Sequence, residues 1–173
     1  MGHETRGCGM RAPDVVFRVA GEPPRRTAQA GRGAYAVGGR VRFYVRPEAR
    51  EEEQRMAAEF RRQLPAGWEA RRGAVRVAVE LVYPATKKDA LRGDELILHA
   101  VRPDVDNIVK GVLDALTRAG VWVDDGQVAD LRVRKWRGNR PRWQVAVWFA
   151  VGGAEGAAAD VADGLRRQGS APL

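Results

Sequence analysis

The sequence predicts a single domain of the α/β (α+β) class, built from short strands and amphipathic helices. Its 173 residues, 45% of them apolar, are enough for one domain with a real core. Segments in which apolar and polar residues alternate indicate strands, and two longer segments with helical periodicity indicate helices. Neither an internal repeat nor a second domain is evident in the chain.

Alternating segments predict five strands. They lie at 15–19, 41–45, 75–81, 131–134 and 143–148, and residues 96–100 predict a further extended segment. Residues 25–40, rich in arginine and glycine, and the polar residues 84–93 predict loops. Gly138 to Pro141 predicts a hairpin turn between the last two strands.

Two helices are predicted between these strands. The first runs from Pro47 to Leu64, with glutamates in its first half, arginines near its end and an apolar stripe of Met56, Phe60 and Leu64. The second runs from Asn107 to Ala119 with Asp106 as its N-cap, and Gly120 is placed to end it in the left-handed conformation. Its predicted buried stripe consists of Ile108, Val109, Val112, Leu113 and Leu116.

Composition limits the classes of function. A net charge of +8 and a pI of about 10.5 suit a polyanionic partner. Cys8 is the only cysteine, which excludes an internal disulfide and fits a reducing cytoplasm. No secretory signal is recognisable, and the longest apolar run, Val145 to Val151, is far too short for a bilayer span. We expect residues 1–13 to form a flexible extension and residues 152–173 a tail without a catalytic role.

Acidic residues converge around the second helix, although the chain is basic. Asp104 and Asp106 precede it, and Asp124 and Asp125 follow it. If the backbone were extended at Asp104 and Asp106, both carboxylates would point to one face and repel each other unless a cation joined them. Carboxylates of this kind suit Mg²⁺, which takes one or two protein oxygens plus substrate phosphate. His99 stands alone, so a zinc site is not predicted.

Lys110 and the Asp124-Asp125 pair can each be explained by an ordinary structural role as well as by a functional one. Lys110 lies one helical turn after Asp106, where its ammonium could stabilise charge on a phosphate or form a surface ion pair. A bare Asp-Asp-Gly is most often a turn. We expect one of the two aspartates to join the metal site and the other to cap the turn or face solvent.

The combined motif resembles the RusA family of crossover junction endodeoxyribonucleases, which are Holliday junction resolvases of bacteria and prophages. The residues that carry the resemblance are Asp104-Val-Asp106-Asn107-x-x-Lys110, Asp114-Ala-Leu116 and Gly120-x-Trp-x-Asp124-Asp125-x-Gln127-Val128. It is dense over residues 102–136 and looser over the rest of a domain spanning 14–151. The segment from Pro84 to Val101 and both termini look longer than in compact members of the family.

The resemblance implies a small mixed sheet with helices packed on it, a homodimer, and symmetric nicking of four-way DNA junctions in recombination and repair. By position, Asp104, Asp106 and Asp125 would be the metal-binding catalytic carboxylates and Lys110 the catalytic lysine, whereas the role of Asp124 is less defined. The cofactor would be Mg²⁺, with Mn²⁺ as a possible substitute. Hydrolysis would leave a 5′ phosphate and a 3′ hydroxyl in a cytoplasmic, non-membrane setting.

Basic residues elsewhere predict contacts with DNA phosphates. The candidates are Arg40, Arg42, Lys87, Lys88, Arg102, Arg132, Arg134, Lys135, Arg137 and Arg140. Trp136, Trp143 and Trp148 lie among these basic residues, and we favour core or interface positions for them over base stacking. Two rival functions remain: a basic DNA-binding module with a structural metal, and, less favoured, another Asp-x-Asp metal enzyme such as a glycosyl- or phosphotransferase.

Overall fold

The computed structural model describes residues 11–25, 32–45 and 47–150. The strands are β1 (Val15–Ala20), β2 (Arg32–Val37), β3 (Arg40–Val45), β4 (Val75–Pro84), β5 (Ile97–Leu98), β6 (Val128–Gly138) and β7 (Arg142–Phe149). The helices are α1 (Pro47–Gln63) and α2 (Val105–Ala119), and a short 3₁₀ helix covers Asp125–Gln127. The α/β class is confirmed. Of the predicted extension at residues 1–13, residues 1–10 lie outside the described residues, as does the predicted tail 152–173.

Five strands form one mixed sheet in the order β1-β7-β4-β6-β5. The central strand β4 pairs in parallel with β6 and antiparallel with β7. The predicted hairpin between the last two strands is therefore wrong, because β4 lies between β6 and β7. The apolar residues of β4 explain its central place: most of its side chains are buried.

A separate two-stranded sheet pairs β2 with β3. The second half of the predicted loop 25–40 is thus a strand, which corrects that prediction. Gly38 and Gly39 both have positive φ, 57° and 74°, as a two-residue hairpin turn requires. The Gly-Gly pair was the sequence signal for this hairpin.

The core lies between the five-stranded sheet and the two helices. Phe60 of α1 packs against Phe17 and Trp143, with ring centroids 5.0 Å and 5.4 Å apart. The apolar stripe of α2 is buried as predicted, apart from Leu113, which is partly buried at the core's edge. The prediction of a core position holds for Trp143, whereas the indole of Trp136 donates to Glu80 at 3.0 Å on the sheet face away from the helices.

The start of α2 differs from the prediction. Asp104, not Asp106, is the N-cap, and the helix begins at Val105. Both aspartates are good caps by residue type, so the sequence did not distinguish them. Gly120 ends the helix in the left-handed conformation, as predicted. No helix among the described residues is long and apolar enough to cross a bilayer.

Candidate functional site

Asp104 and Asp106 lie together at the N-terminus of α2, both exposed. Asp104 has an extended backbone (φ −72°, ψ 141°) and Asp106 is in the first helical turn. An N-cap aspartate usually accepts a hydrogen bond from a backbone N–H of the first turn, but the Asp104 side chain makes no such bond. Its carboxylate therefore remains available for a ligand, beside the positive end of the helix.

Lys110 lies one turn after Asp106 on the exposed side of α2, as predicted. Its ammonium group is 3.3 Å from a carboxylate oxygen of Asp114. Exposed pairs of this spacing contribute only a few tenths of a kcal/mol. The pair therefore holds the lysine weakly and leaves it able to turn toward a bound phosphate.

Asp124 and Asp125 differ in how their carboxylates are used. Asp124 is the N-cap of the 3₁₀ helix and accepts a hydrogen bond from the Gly126 N–H at 2.8 Å. Asp125 is the first residue of that helix and does not act as its cap. Asp124 thus has the expected capping role, and metal binding by Asp125 stays a prediction.

Gln127 organises this turn, a role that the sequence analysis missed. Its side-chain oxygen accepts from the N–H groups of Val123 (3.1 Å) and Asp124 (3.0 Å), and its amide nitrogen donates to the carbonyl oxygens of Arg71 (3.1 Å) and Gly73 (2.9 Å). The signal was present in the sequence, since an Asp followed three residues later by Gln fits a capping box.

Lys135 does not occupy the surface position expected of a DNA contact. Its side chain is only 9% exposed, and its ammonium group donates to the carbonyl oxygens of Val101 (2.7 Å) and Pro103. Burial lowers the pKa of Lys135, while the negative charge of nearby Asp104 acts in the opposite direction. Alternation with Leu131 and Val133 places Lys135 on the buried face of β6, but its residue type led to the surface prediction, and nothing in the sequence predicts its contacts.

His99 also holds the segment that leads into α2. Its ring stacks on Tyr83 with centroids 4.9 Å apart, and its Nε2 atom lies 3.1 Å from the carbonyl oxygen of Arg102. Burial is the main cause that lowers the pKa of His99. The segment before Asp104 is thus fixed from two sides, by His99 and by Lys135.

The two acidic pairs lie at opposite ends of α2 within one chain. The helix has 15 residues, which makes it about 22 Å long. At its first end, the segment preceding Asp104 is bound by Lys135. At its other end, the chain passes through the 3₁₀ helix that begins at Asp125 and enters β6 at Val128. Val128 and Lys135 are seven residues apart on this strand, which is about 23 Å, so Asp125 lies far from the segment that Lys135 binds. The helix separates the pairs instead of bringing Asp125 back beside Asp104.

A complete set of metal ligands is accordingly not assembled among the described residues of one chain. Among residues 11–25, 32–45 and 47–150, no group of three or more histidine, cysteine, aspartate or glutamate residues is placed to hold a metal ion. The exposed carboxylates of Asp104 and Asp106 provide the oxygen donors that a hard cation prefers. Any further protein oxygens for such a cation would have to come from outside this end of α2.

The predicted DNA-contacting residues fall into three groups. Six are exposed: Arg40, Arg42, Lys87, Lys88, Arg102 and Arg140. Arg132 and Arg134 are half-buried on the sheet face away from the helices. Arg137 is half-buried and pairs with Asp89 at 3.0 Å, and Lys135 is buried as described above. Surface exposure therefore supports the first group best.

Together, these features define a basic α/β domain with acidic candidate ligands at the ends of one helix, the make-up of a protein that processes nucleic acid. The sequence model of the family described as endodeoxyribonuclease RusA matches residues 23–148. Because the match covers well over half of the chain, the protein belongs to the RusA endodeoxyribonuclease family. The resemblance inferred from the sequence motif is thereby confirmed.

Individual relatives share shorter segments with the chain. It is 59% identical over 34 residues to the crossover junction endodeoxyribonuclease RusA of Escherichia coli (strain K12), covering 20% of this chain and 28% of that protein. The enzyme of the same name from Enterobacteria phage 82 matches to the same extent. An uncharacterized protein, YqaN, of Bacillus subtilis (strain 168) is 44% identical over 61 residues, 35% of this chain and 41% of that protein. The chain thus spans less than half the length of these relatives.

Proposed function

We propose that this protein is a metal-dependent endonuclease that resolves four-way DNA junctions by paired nicks, acting in recombination and repair. Membership of the RusA family and the names of the matching E. coli and phage enzymes support the reaction and the substrate. The observation that carries most weight is the state of the carboxylates. Asp104 and Asp125 lie at the two ends of α2, and neither side chain caps a helix. The side chain of Asp124, by contrast, does cap one.

The active form is proposed to be a homodimer. Asp125 lies about the length of α2 away from Asp104 and Asp106 in one chain, so the three cannot share a cation there. Two copies related by a two-fold axis, with their α2 helices running in opposite directions, would set the first end of one helix beside the last end of the other. Such a dimer would have two complete sites, as paired nicking requires.

In that arrangement, Asp104 and Asp106 of one copy and Asp125 of the other would hold the cation, Mg²⁺ or in its place Mn²⁺. When bound, the cation would supply charge stabilisation to the scissile phosphate and a more acidic water. Lys110, one turn from Asp106, would add its positive charge to the phosphate oxygens as negative charge builds up on them. Release of the 3′ oxygen would leave a 5′ phosphate and a 3′ hydroxyl.

DNA would be held through its phosphates by the exposed basic residues. Lys87, Lys88 and Arg140 lie beyond the ends of β4 and β6, the end of the sheet at which Lys135 binds the segment before Asp104. Phosphate contacts position DNA without reading bases, so a junction would be selected by its shape and deformability. Affinity would then fall steeply with salt concentration.

A synthetic four-way junction tests this function directly. We expect symmetric nicks in the presence of Mg²⁺, and bound but intact junction with EDTA or with Asp106→Asn. The nicked products should be sealed by DNA ligase, since that enzyme needs a 5′ phosphate and a 3′ hydroxyl. Junction that is bound but never cut by the wild-type protein, at any Mg²⁺ or Mn²⁺ concentration, would instead identify a DNA-binding module with a structural metal.

A further inference from the structure

Lys135 occupies a position where the fold alone would favour an apolar residue. It is the only charged or polar residue that is buried among those the structure describes. On β6 it lies in register with Leu81 of β4, which is fully buried in the core between the sheet and the helices. A methionine of similar volume would fill this place without burying a charge.

Lys135 holds one segment with both its side chain and its backbone. Its ammonium group donates to the carbonyl oxygens of Val101 and Pro103, and its own carbonyl oxygen accepts from the N–H of His99 at 3.0 Å. This segment leads directly into Asp104, whose carbonyl oxygen accepts the first-turn N–H of Ile108 at 3.1 Å. The lysine therefore fixes the backbone from which the Asp104 side chain projects.

A contribution to the stability of the fold does not explain why a lysine is buried at position 135. Burying an ammonium group even in part carries a desolvation cost, and apolar replacements of buried charges are often neutral or stabilising. Val101 is exposed, so water could solvate its carbonyl oxygen in the absence of the lysine. What the buried charge provides is a fixed position for the residues that follow.

We propose that Lys135 is a positioning residue of the active site, which holds the segment before α2 so that the Asp104 carboxylate keeps the orientation that cleavage needs. This inference rests on the proposed nuclease function. It also replaces the predicted role of Lys135 as a DNA contact. An error of about 1 Å in the placement of a catalytic group can lower a rate about 100-fold.

The first test compares Lys135→Met with Lys135→Arg on a four-way junction. We expect Lys135→Met to keep its melting temperature and its junction affinity within about twofold, while its single-turnover cleavage rate falls about 100-fold. Lys135→Arg keeps N–H donors for the two carbonyl oxygens and should recover part of the rate. Arg118→Met, a basic residue of α2 paired with Glu53, is the control and should cut at the wild-type rate.

The second test needs neither DNA nor metal. In Lys135→Met, amide hydrogen exchange at Ile108 should quicken about tenfold, because the first turn of α2 loses its anchor. Exchange at His99 should change little, since its N–H is bonded to the backbone of Lys135. If Lys135→Met fails to fold, Lys135→Arg and Lys135→Gln take its place in both tests.

The outcomes separate the two proposals. A wild-type protein that never cuts would overturn the nuclease function, while the exchange data would still report on the anchoring of α2. Cleavage at the wild-type rate by Lys135→Met would overturn the positioning role. A loss of junction affinity that matches the loss of rate would show that Lys135 contacts DNA.

Discussion

At the scale of single residues, the adjacent aspartates are expected to have different roles: Asp125 in catalysis and Asp124 in stability. Asp125→Asn should abolish cleavage and leave the free energy of unfolding within about 0.5 kcal/mol, because Asp125 is not a cap. Asp124→Ala should reduce stability by about 1 kcal/mol through loss of its hydrogen bond to Gly126, with partial activity remaining. Urea denaturation and junction cleavage of both variants measure the contrast. Equal losses of activity without a stability difference would contradict it.

The second residue-scale prediction concerns Lys110. Lys110→Met should abolish cleavage while junction affinity stays close to that of the wild type, since the ammonium group is proposed to act on the phosphate during reaction. Asp114→Asn is the matched control: it breaks the same 3.3 Å ion pair but keeps the lysine, so cleavage should persist. Junction binding measured by gel shift in EDTA separates the two properties. A collapse of affinity in Lys110→Met would make the lysine a DNA anchor.

At the scale of elements, the turn around the 3₁₀ helix is expected to depend on Gln127. Its side chain forms four hydrogen bonds, two within the turn and two that tie the turn to the backbone at Arg71 and Gly73. Gln127→Ala should lower the free energy of unfolding by about 1–3 kcal/mol and slow cleavage by moving Asp125. Gln127→Glu keeps the acceptor but turns a carboxylate oxygen toward the carbonyl oxygens of Arg71 and Gly73, so its loss of stability should be at least as large as that of Gln127→Ala. Urea denaturation that shows no ranking among these three proteins would refute this role.

Also at the scale of elements, alternation and helical periodicity predict where helices and strands lie but not how the strands pair. They placed α1 within one residue, and they identified β4 and the buried stripe of α2, because burial imposes its period on the chain. They did not reveal that β4 lies between β6 and β7, since alternation carries no information about which strands pair. Lys135 was taken for a surface residue because residue type alone does not show that backbone carbonyl groups will surround an ammonium group.

At the scale of the whole molecule, helix α2 sets the distance between the candidate ligands. The motif that identified the family contains five aspartates within 22 positions of sequence, and four of them are candidate ligands: Asp104, Asp106, Asp124 and Asp125. The sequence predicts both these residues and the helix between them, yet one of the later aspartates was expected to share a site with Asp104 and Asp106, which a helix of about 22 Å prevents within one chain. In the proposed dimer, a second copy of the chain would supply the carboxylate that this spacing keeps away from each site. Catalysis and dimerisation would then be inseparable.

Mixing two inactive variants tests whether each site takes carboxylates from two copies. In a heterodimer of Asp106→Asn and Asp125→Asn chains, one site would carry both substitutions and the other site neither. We therefore expect the co-expressed, doubly tagged heterodimer to recover cleavage, but as a single nick in place of paired nicks. A heterodimer of Asp104→Asn and Asp106→Asn chains is the control and should stay inactive, because each of its sites would lack one carboxylate. Continued inactivity of the first heterodimer would mean that Asp106 and Asp125 serve one chain's site, and the proposed arrangement of antiparallel α2 helices would have to be abandoned.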